Sequence, residues 1–170
     1  MPGIDSSLEK PAEFLRRKMA SSLGVLGDML MRDIKTLARD RMDIPAGRPL
    51  VKEHERCPQI YLIESGWVLR SRGLASGRRQ VANYALPADI LCADSMLFKQ
   101  SSFDLTARTP VSVVRIEPPQ GAELFERYPG LAAALAWTMG QEESILAERV
   151  VSLGRRDSLG KLAHALCELE

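Results

Sequence analysis

The chain has 170 residues, 45% of them hydrophobic, and a formal net charge of +1 from 23 basic and 22 acidic residues. That composition supports a packed core in one domain, or in one domain and part of another. No field of one sign covers the molecule, so charge alone gives no argument for nucleic-acid binding. The start, MPGIDSSLEKPAEF, lacks the apolar core of a signal peptide. No run is long and apolar enough to cross a bilayer, so a soluble cytoplasmic protein with no membrane partner is expected. Cys57, Cys92 and Cys167 lie far apart and form no Cys-x-x-Cys pair. This speaks against a zinc site and against a disulfide framework. Reduced thiols are expected, with a single redox-sensing thiol left open, because reactivity depends on local charge that a sequence does not display.

In chain order, residues 8–42 read as helical. Phe14, Met19 and Leu23 form one apolar stripe, and Leu30, Ile34 and Leu37 form a second. Asp43 to Gly47 ends that region. From Arg48 to Glu117 short runs rich in β-branched and aromatic residues alternate with Gly, Pro, Asn, Asp and Ser. Such spacing predicts an antiparallel all-β sandwich or barrel. Gly73 to Gly77 makes a hairpin turn. The strand beyond it places Val81, Asn83 and Ala85 on one face, and Gln80, Ala82, Tyr84 and Leu86 on the other. Pro87 ends the pairing because it has no N–H for the ladder. A helix follows from Pro129 to Leu153, with proline at its first turn and Gly154 at its stop. Asp157 or Ser158 caps a last helix.

The stretches YLIESGWVLRS, GRRQV, LPADIL, TARTPVSVVRIE, ERYPGLAAALAW and ERVVSLGRRDSLGKLAHALCEL together resemble the Crp–Fnr superfamily of bacterial transcription regulators. The last stretch is similar to the junction found in its nitrogen-fixation and respiration branch. The resemblance implies an α+β fold. It has an antiparallel β-roll, or jelly roll, of cyclic-nucleotide-binding type, with N-terminal helices and a long C-terminal dimerisation helix. The expected divisions are a helical segment at 1–42, a β-roll sensor at 43–128, a dimerisation helix at 129–154, and at 155–170 the start of a winged-helix DNA-binding domain otherwise missing. DNA and RNA polymerase are thereby implied as partners of the full-length protein alone.

Cyclic-nucleotide binders in this family carry a Gly-Glu pair after the corner and an arginine before the next strand. The cation is needed because a desolvated phosphate without one is costly. Here the pair is Cys92-Ala93, Asp94 is the nearest carboxylate, and Ser101 stands at the arginine position with Ser102 beside it. Asp94, Ser101 and Ser102 are the candidate pocket residues, and an effector other than a cyclic nucleotide, or none, is expected. No cofactor is identified. An iron–sulfur cluster needs N-terminal cysteines, and none precedes Cys57. His54, His164 and the Met1-Pro2 start are too weak a basis for haem. No nucleophile–base pair or metal-spaced cluster points to an enzyme, and two histidines do not supply a cupin-type metal site. The alternative class is a cyclic-nucleotide-binding regulatory module of another signalling protein.

Leu135, Met139, Glu142, Leu146, Arg149 or Val150, and Leu153 recur at spacings of four and three, a seam for a homodimer. Glu142 on that seam needs a cation, and Arg149 of the partner chain is the candidate. Arg70, Arg72, Arg78 and Arg79 read as a solvated hairpin. Leu159, Leu162, Leu166 and Leu169 form an apolar stripe expected to need a covering partner.

Overall fold

The structure is a computed structural model that describes residues 10–19 and 26–155, with side chains described through residue 150. The stripe from Leu159 to Leu169, His164 and Cys167 therefore lie outside the described residues.

Helix α1 covers 10–19 and α2 covers Leu26–Leu37. The second stripe is buried as expected, with Leu30 and Ile34 fully enclosed and Leu37 nearly so. The first is rotated by one position. Ala12, Leu15 and Met19 face the core, while Phe14 is 56% exposed. Leu23 lies outside the described residues.

The helical region ends earlier than residue 42. Strand β1 runs over Ala38–Ile44, and its residues alternate between half-buried and exposed. Its sequence, ARDRMDI, has no strong strand propensity, so tertiary pairing decides its state. β1 lies antiparallel to β8 (Val111–Ile116). Its charges meet partners across the sheet: Arg39 with Glu117, Asp40 with Arg115, and Arg41 with Glu64 and Ser112.

The other strands are β2 (Pro49–Val51), β3 (Ile60–Ser65), β4 (Val68–Gly73), β5 (Arg79–Ala85), β6 (Ile90–Leu91) and β7 (Asp104–Ala107). They form two antiparallel four-stranded sheets, ordered β1-β8-β3-β6 and β2-β7-β4-β5. Gly66, in the β3–β4 turn, has φ +86°, and a Cβ there would lie 2.2 Å from the Pro110 carbonyl oxygen. The simple alternation expected for β5 is interrupted. Arg70 pairs with Asn83 but Ser71 pairs with Val81, so Ala82 is an extra residue, a bulge that resets the faces. Val81 is 42% exposed as a result.

Short helices α3 (Ser95–Phe98) and α4 (Ala122–Arg127) precede the long α5 (Pro129–Arg155). α5 starts at Pro129 as expected and continues one residue past Gly154. Its first turn is capped from outside, since the buried Asp33 carboxylate of α2 accepts the Leu131 N–H at 3.0 Å. Gly130 permits this crossing, because a Cβ there would lie 2.3 Å from the Leu30 backbone nitrogen.

Two apolar clusters result. One joins α1, α2 and the first half of α5 to the β1-β8-β3-β6 sheet. The other fills the space between the two sheets and includes Cys57 and Cys92.

A candidate ligand cassette between the β-roll and the long helix

The corner before the cassette is built on strained backbone. Ala88 has φ +72° and is buried, and its N–H donates to the Ile63 carbonyl at 2.8 Å. Asp89 holds the corner. One carboxylate oxygen accepts the Leu86 N–H at 2.9 Å, and the other takes Lys18 of α1 at 3.0 Å. Beyond β6 the chain turns again at Cys92, with φ +63°, and after α3 at Lys99, with φ +62°. The three sites are non-glycine residues in the left-handed region, where a side chain costs about 1–2 kcal/mol.

The candidate pocket residues are gathered here, and their polar groups are engaged in the loop itself. The Asp94 carboxylate accepts the Ser102 N–H at 3.4 Å. Ser101 is buried, and its hydroxyl donates to the Phe103 carbonyl at 2.7 Å. Its backbone N–H donates to the Glu55 carbonyl, and its carbonyl accepts the His54 N–H. These three residues shape the cassette, and none brings a cation to it.

The cation that does enter the space beside α5 comes from elsewhere. Arg70 of β4 is only 6% exposed, so it is not part of a solvated hairpin. Its guanidinium forms a bidentate pair with Glu142 of α5, with one of the two bonds at 3.1 Å. Phe103 lies against the guanidinium at 4.8 Å. Burial leaves Arg70 Nε and the neighbouring Ser71 hydroxyl without hydrogen-bond partners. The partners are 72 residues apart, and no local spacing signals them. Glu142 thus has a cationic partner within its own chain. Arg72 and Arg79 are also tied down, to Glu53 and Asp104, both at 3.0 Å.

The seam residues divide. Leu135 is 5% exposed and belongs to the chain's own core, and Met139 packs against that core. Leu146 and Val150 are 46% and 70% exposed, and Arg149 is half-buried. The Leu153 side chain lies outside the described residues.

Beside the Arg70–Glu142 pair lies a groove of about 530 Å³ between α1, β5 and α5. Phe14, Tyr84 and Trp137 give it aromatic walls, and Asn83, Thr138 and Gln141 give it polar ones.

Two further groups meet at the head of the cassette. Cys57, in the loop before β3, and Cys92 are both reduced and buried, and a side-chain hydrogen bond links their sulfurs. That bond, with a second from Ser95, lowers the Cys57 pKa below its ordinary value against the opposing effect of burial. The same bond, together with desolvation, pushes Cys92 up. The Cys57 thiol donates to the Gln59 carbonyl at 3.2 Å.

Among the described residues no group of three or more metal-ligating side chains occurs, and no helix is long and apolar enough to cross a membrane. Comparison with curated protein sequences gives no match. Solved structures do match in fold. The c-di-GMP-responsive global regulator CLP of Xanthomonas campestris superposes with a TM-score of 0.68 at 14% identity, over 82% of this chain and 70% of its own. FixK2 of Bradyrhizobium japonicum gives 0.66 at 21% identity, over 78% and 65%. A CRP/FNR-family transcriptional regulator of Thermus thermophilus gives 0.63 at 18%, over 76% and 64%. The chain spans 64–70% of the length of these proteins. The cyclic nucleotide-binding domain matches residues 41–128, more than half of the sequence and the β-roll from within β1 onward. The chain belongs to the cyclic nucleotide-binding domain family.

Proposed function

We propose that this chain is the sensor domain of a Crp–Fnr-type transcription regulator, of the nitrogen-fixation and respiration branch, and that its effector is not a cyclic nucleotide. The observation that carries the second part is the buried Arg70–Glu142 pair. It fills space between the β-roll and α5, while the cassette presents Ala93 in place of a carboxylate and Ser101 in place of a cation. A cyclic phosphate entering here finds serine in place of arginine at position 101, and Lys99 is the one cation on the cassette loop. Each charge-assisted contact contributes roughly 1.5–3 kcal/mol, so the loss of two weakens binding by two orders of magnitude or more. Calorimetric titration with cyclic AMP and cyclic GMP tests this. No heat of binding is expected at micromolar ligand, and a micromolar dissociation constant overturns the reading.

In this reading residues 43–128 are the sensor and 129–154 supply dimerisation. A homodimer is supported by the outer half of α5, where Leu146 and Val150 are exposed. It is supported also by an apolar hollow of about 490 Å³ lined by Ala93, Leu97, Phe125 and Ala136, with Leu97 and Phe125 each 60% exposed. DNA and RNA polymerase are partners of the whole regulator, which works in the cytoplasm without catalytic activity of its own.

A further inference from the structure

We propose that the groove between α1, β5 and α5 binds an uncharged planar heteroaromatic molecule, gripped through a lactam-type edge that carries a donor beside an acceptor. The inference deepens the reading that the effector is not a cyclic nucleotide, and it rests on that reading. The groove has a volume of about 530 Å³, within the range of roughly 300–1,000 Å³ usual for small-molecule sites. It is separate from the cassette, since none of the residues from Cys92 to Phe103 lines it.

The walls favour a flat ring. Phe14 of α1 and Tyr84 of β5 line the groove while 56% and 36% exposed, and Trp137 lines it from α5. Aromatic surface left in water on three elements around one hollow is covered best by a planar apolar guest, which meets the rings face-on or edge-on. These walls are held in place. The Trp67 ring meets Tyr84 edge-on, with centroids 6.1 Å apart and planes at 64°. Asp89 ties the corner to α1 through Lys18 and to its own turn through the Leu86 N–H.

Charge excludes an ionic guest. The charged lining residues form two closed pairs, Lys18 with Asp89 and Arg70 with Glu142, so the lining is neutral. An ion entering the groove would open one of these pairs or lie unpaired against aromatic walls, and an unpaired desolvated charge is costly. Recognition is left to neutral groups. Asn83 from β5 and Gln141 from α5 each bring an amide, a donor beside an acceptor, and the buried Thr138 brings a hydroxyl. A ring N–H next to a ring carbonyl matches such an amide, because the two edges exchange two hydrogen bonds. A guest held in this way touches β5 and α5 together.

The probe is 2-quinolone, an uncharged bicyclic lactam, titrated by calorimetry into the full chain. A dissociation constant on the order of 0.1 mM is expected for so small a guest. N-methyl-2-quinolone keeps the rings and the carbonyl but lacks the N–H, and should bind about three- to tenfold more weakly. Quinoline-2-carboxylate, an anion of similar size, should not bind. Asn83 is half-buried and Gln141 exposed. Asn83→Ala and Gln141→Ala should each weaken 2-quinolone binding by about three- to tenfold, with the thermal midpoint as the check on folding. Should either variant fail to fold, the three probes on the unaltered chain decide alone. The proposal is overturned if 2-quinolone does not bind at about 1 mM. It is overturned as well if the carboxylate binds as tightly as the lactam, or if both folded variants bind the lactam as the unaltered chain does. The two readings fail separately, since micromolar binding of cyclic AMP in a parallel titration overturns the non-nucleotide reading, whereas the lactam series judges the groove.

Discussion

Ala88 is a residue whose conformation opposes its side chain. A buried alanine at φ +72° carries a cost that glycine does not, yet the corner depends on it, since both Ala88 N–H and Asp89 carbonyl bond to Ile63. Ala88→Gly is expected to stabilise the fold by about 0.5–1 kcal/mol, the relief of strain reduced by the greater freedom of glycine in the unfolded chain. Urea denaturation measures it, and a lower midpoint contradicts this account of the corner. Arg70 and Glu142 depend on each other in a different way. Arg70→Ala leaves a carboxylate that keeps only 23% of its side-chain surface in water. The expected loss is about 2–3 kcal/mol, below the range for a fully buried pair because of that residual exposure. Arg70→Met with Glu142→Leu removes both charges and should recover most of the loss, so the double change separates charge from packing. Glu53 sets a local pH dependence. The Gly73 N–H, then Arg72, hold its carboxyl below the usual value of 4.5. A depressed folded pKa means that the contribution is fully present above pH 4.5 and is lost as pH falls through the folded value. Exchange of the Gly73 amide should therefore speed up below pH 4.5 more than its neighbours do, and Glu53→Gln should abolish that excess.

At the scale of elements, α5 has two halves with different work. Leu131, Ala132, Ala134 and Leu135 close the core, so that half is bound to its own chain. Its start rests on α2 through Asp33 and the bare backbone of Gly130. Gly130→Ala drives a methyl into the backbone of α2 and is expected to cost about 1–3 kcal/mol, as overpacking does, with the thermal midpoint as the readout. The outer half exposes Leu146 and Val150. Leu146→Asp should leave the fold intact, because the residue touches solvent and not the core, and on the dimer proposed above it should give monomers in sedimentation. A dimer that survives the change places the interface elsewhere. β1 is an element of a third kind. Its charged side chains make no apolar face, and Arg39, Asp40 and Arg41 find their partners only once β3 and β8 are beside them.

At the scale of the whole molecule, the two sheets and the helical layer enclose two cores joined through β3 and the β6 corner. The cassette lies where both meet. Its head, at Cys92, belongs to the cluster between the sheets, while Ala88, Ala93 and Met96 belong to the cluster under the helices. A change in the backbone at Cys92 thus bears on both. The Arg70–Glu142 pair ties the second sheet to α5 at the same level, so β-roll and long helix are coupled by one buried charge pair. Any effector that enters the adjacent groove meets this pair.

The sequence by itself determined the class of the fold, because the periods of its apolar residues are local. The stripe of α2, the short strands between turn residues, and the proline start of α5 are each set by residues within a few positions of one another. It also determined what the cassette lacks, since Ala93 and Ser101 are visible as letters. Tertiary structure decided what depends on distant partners. Residues 38–42 are a strand only because β8 supplies their hydrogen bonds and countercharges. Ala12 and Leu15 face inward and Phe14 outward because of how α1 seats against the core, one position away from the simplest reading of the stripe. The bulge at Ala82 is a matter of register with β4. Arg70 and Glu142, 72 residues apart, and Cys57 and Cys92, held apart by two strands and a hairpin, are brought together by the closing of the β-roll against itself and α5. A pattern of local periods holds no information on which side chains such a closure will set face to face.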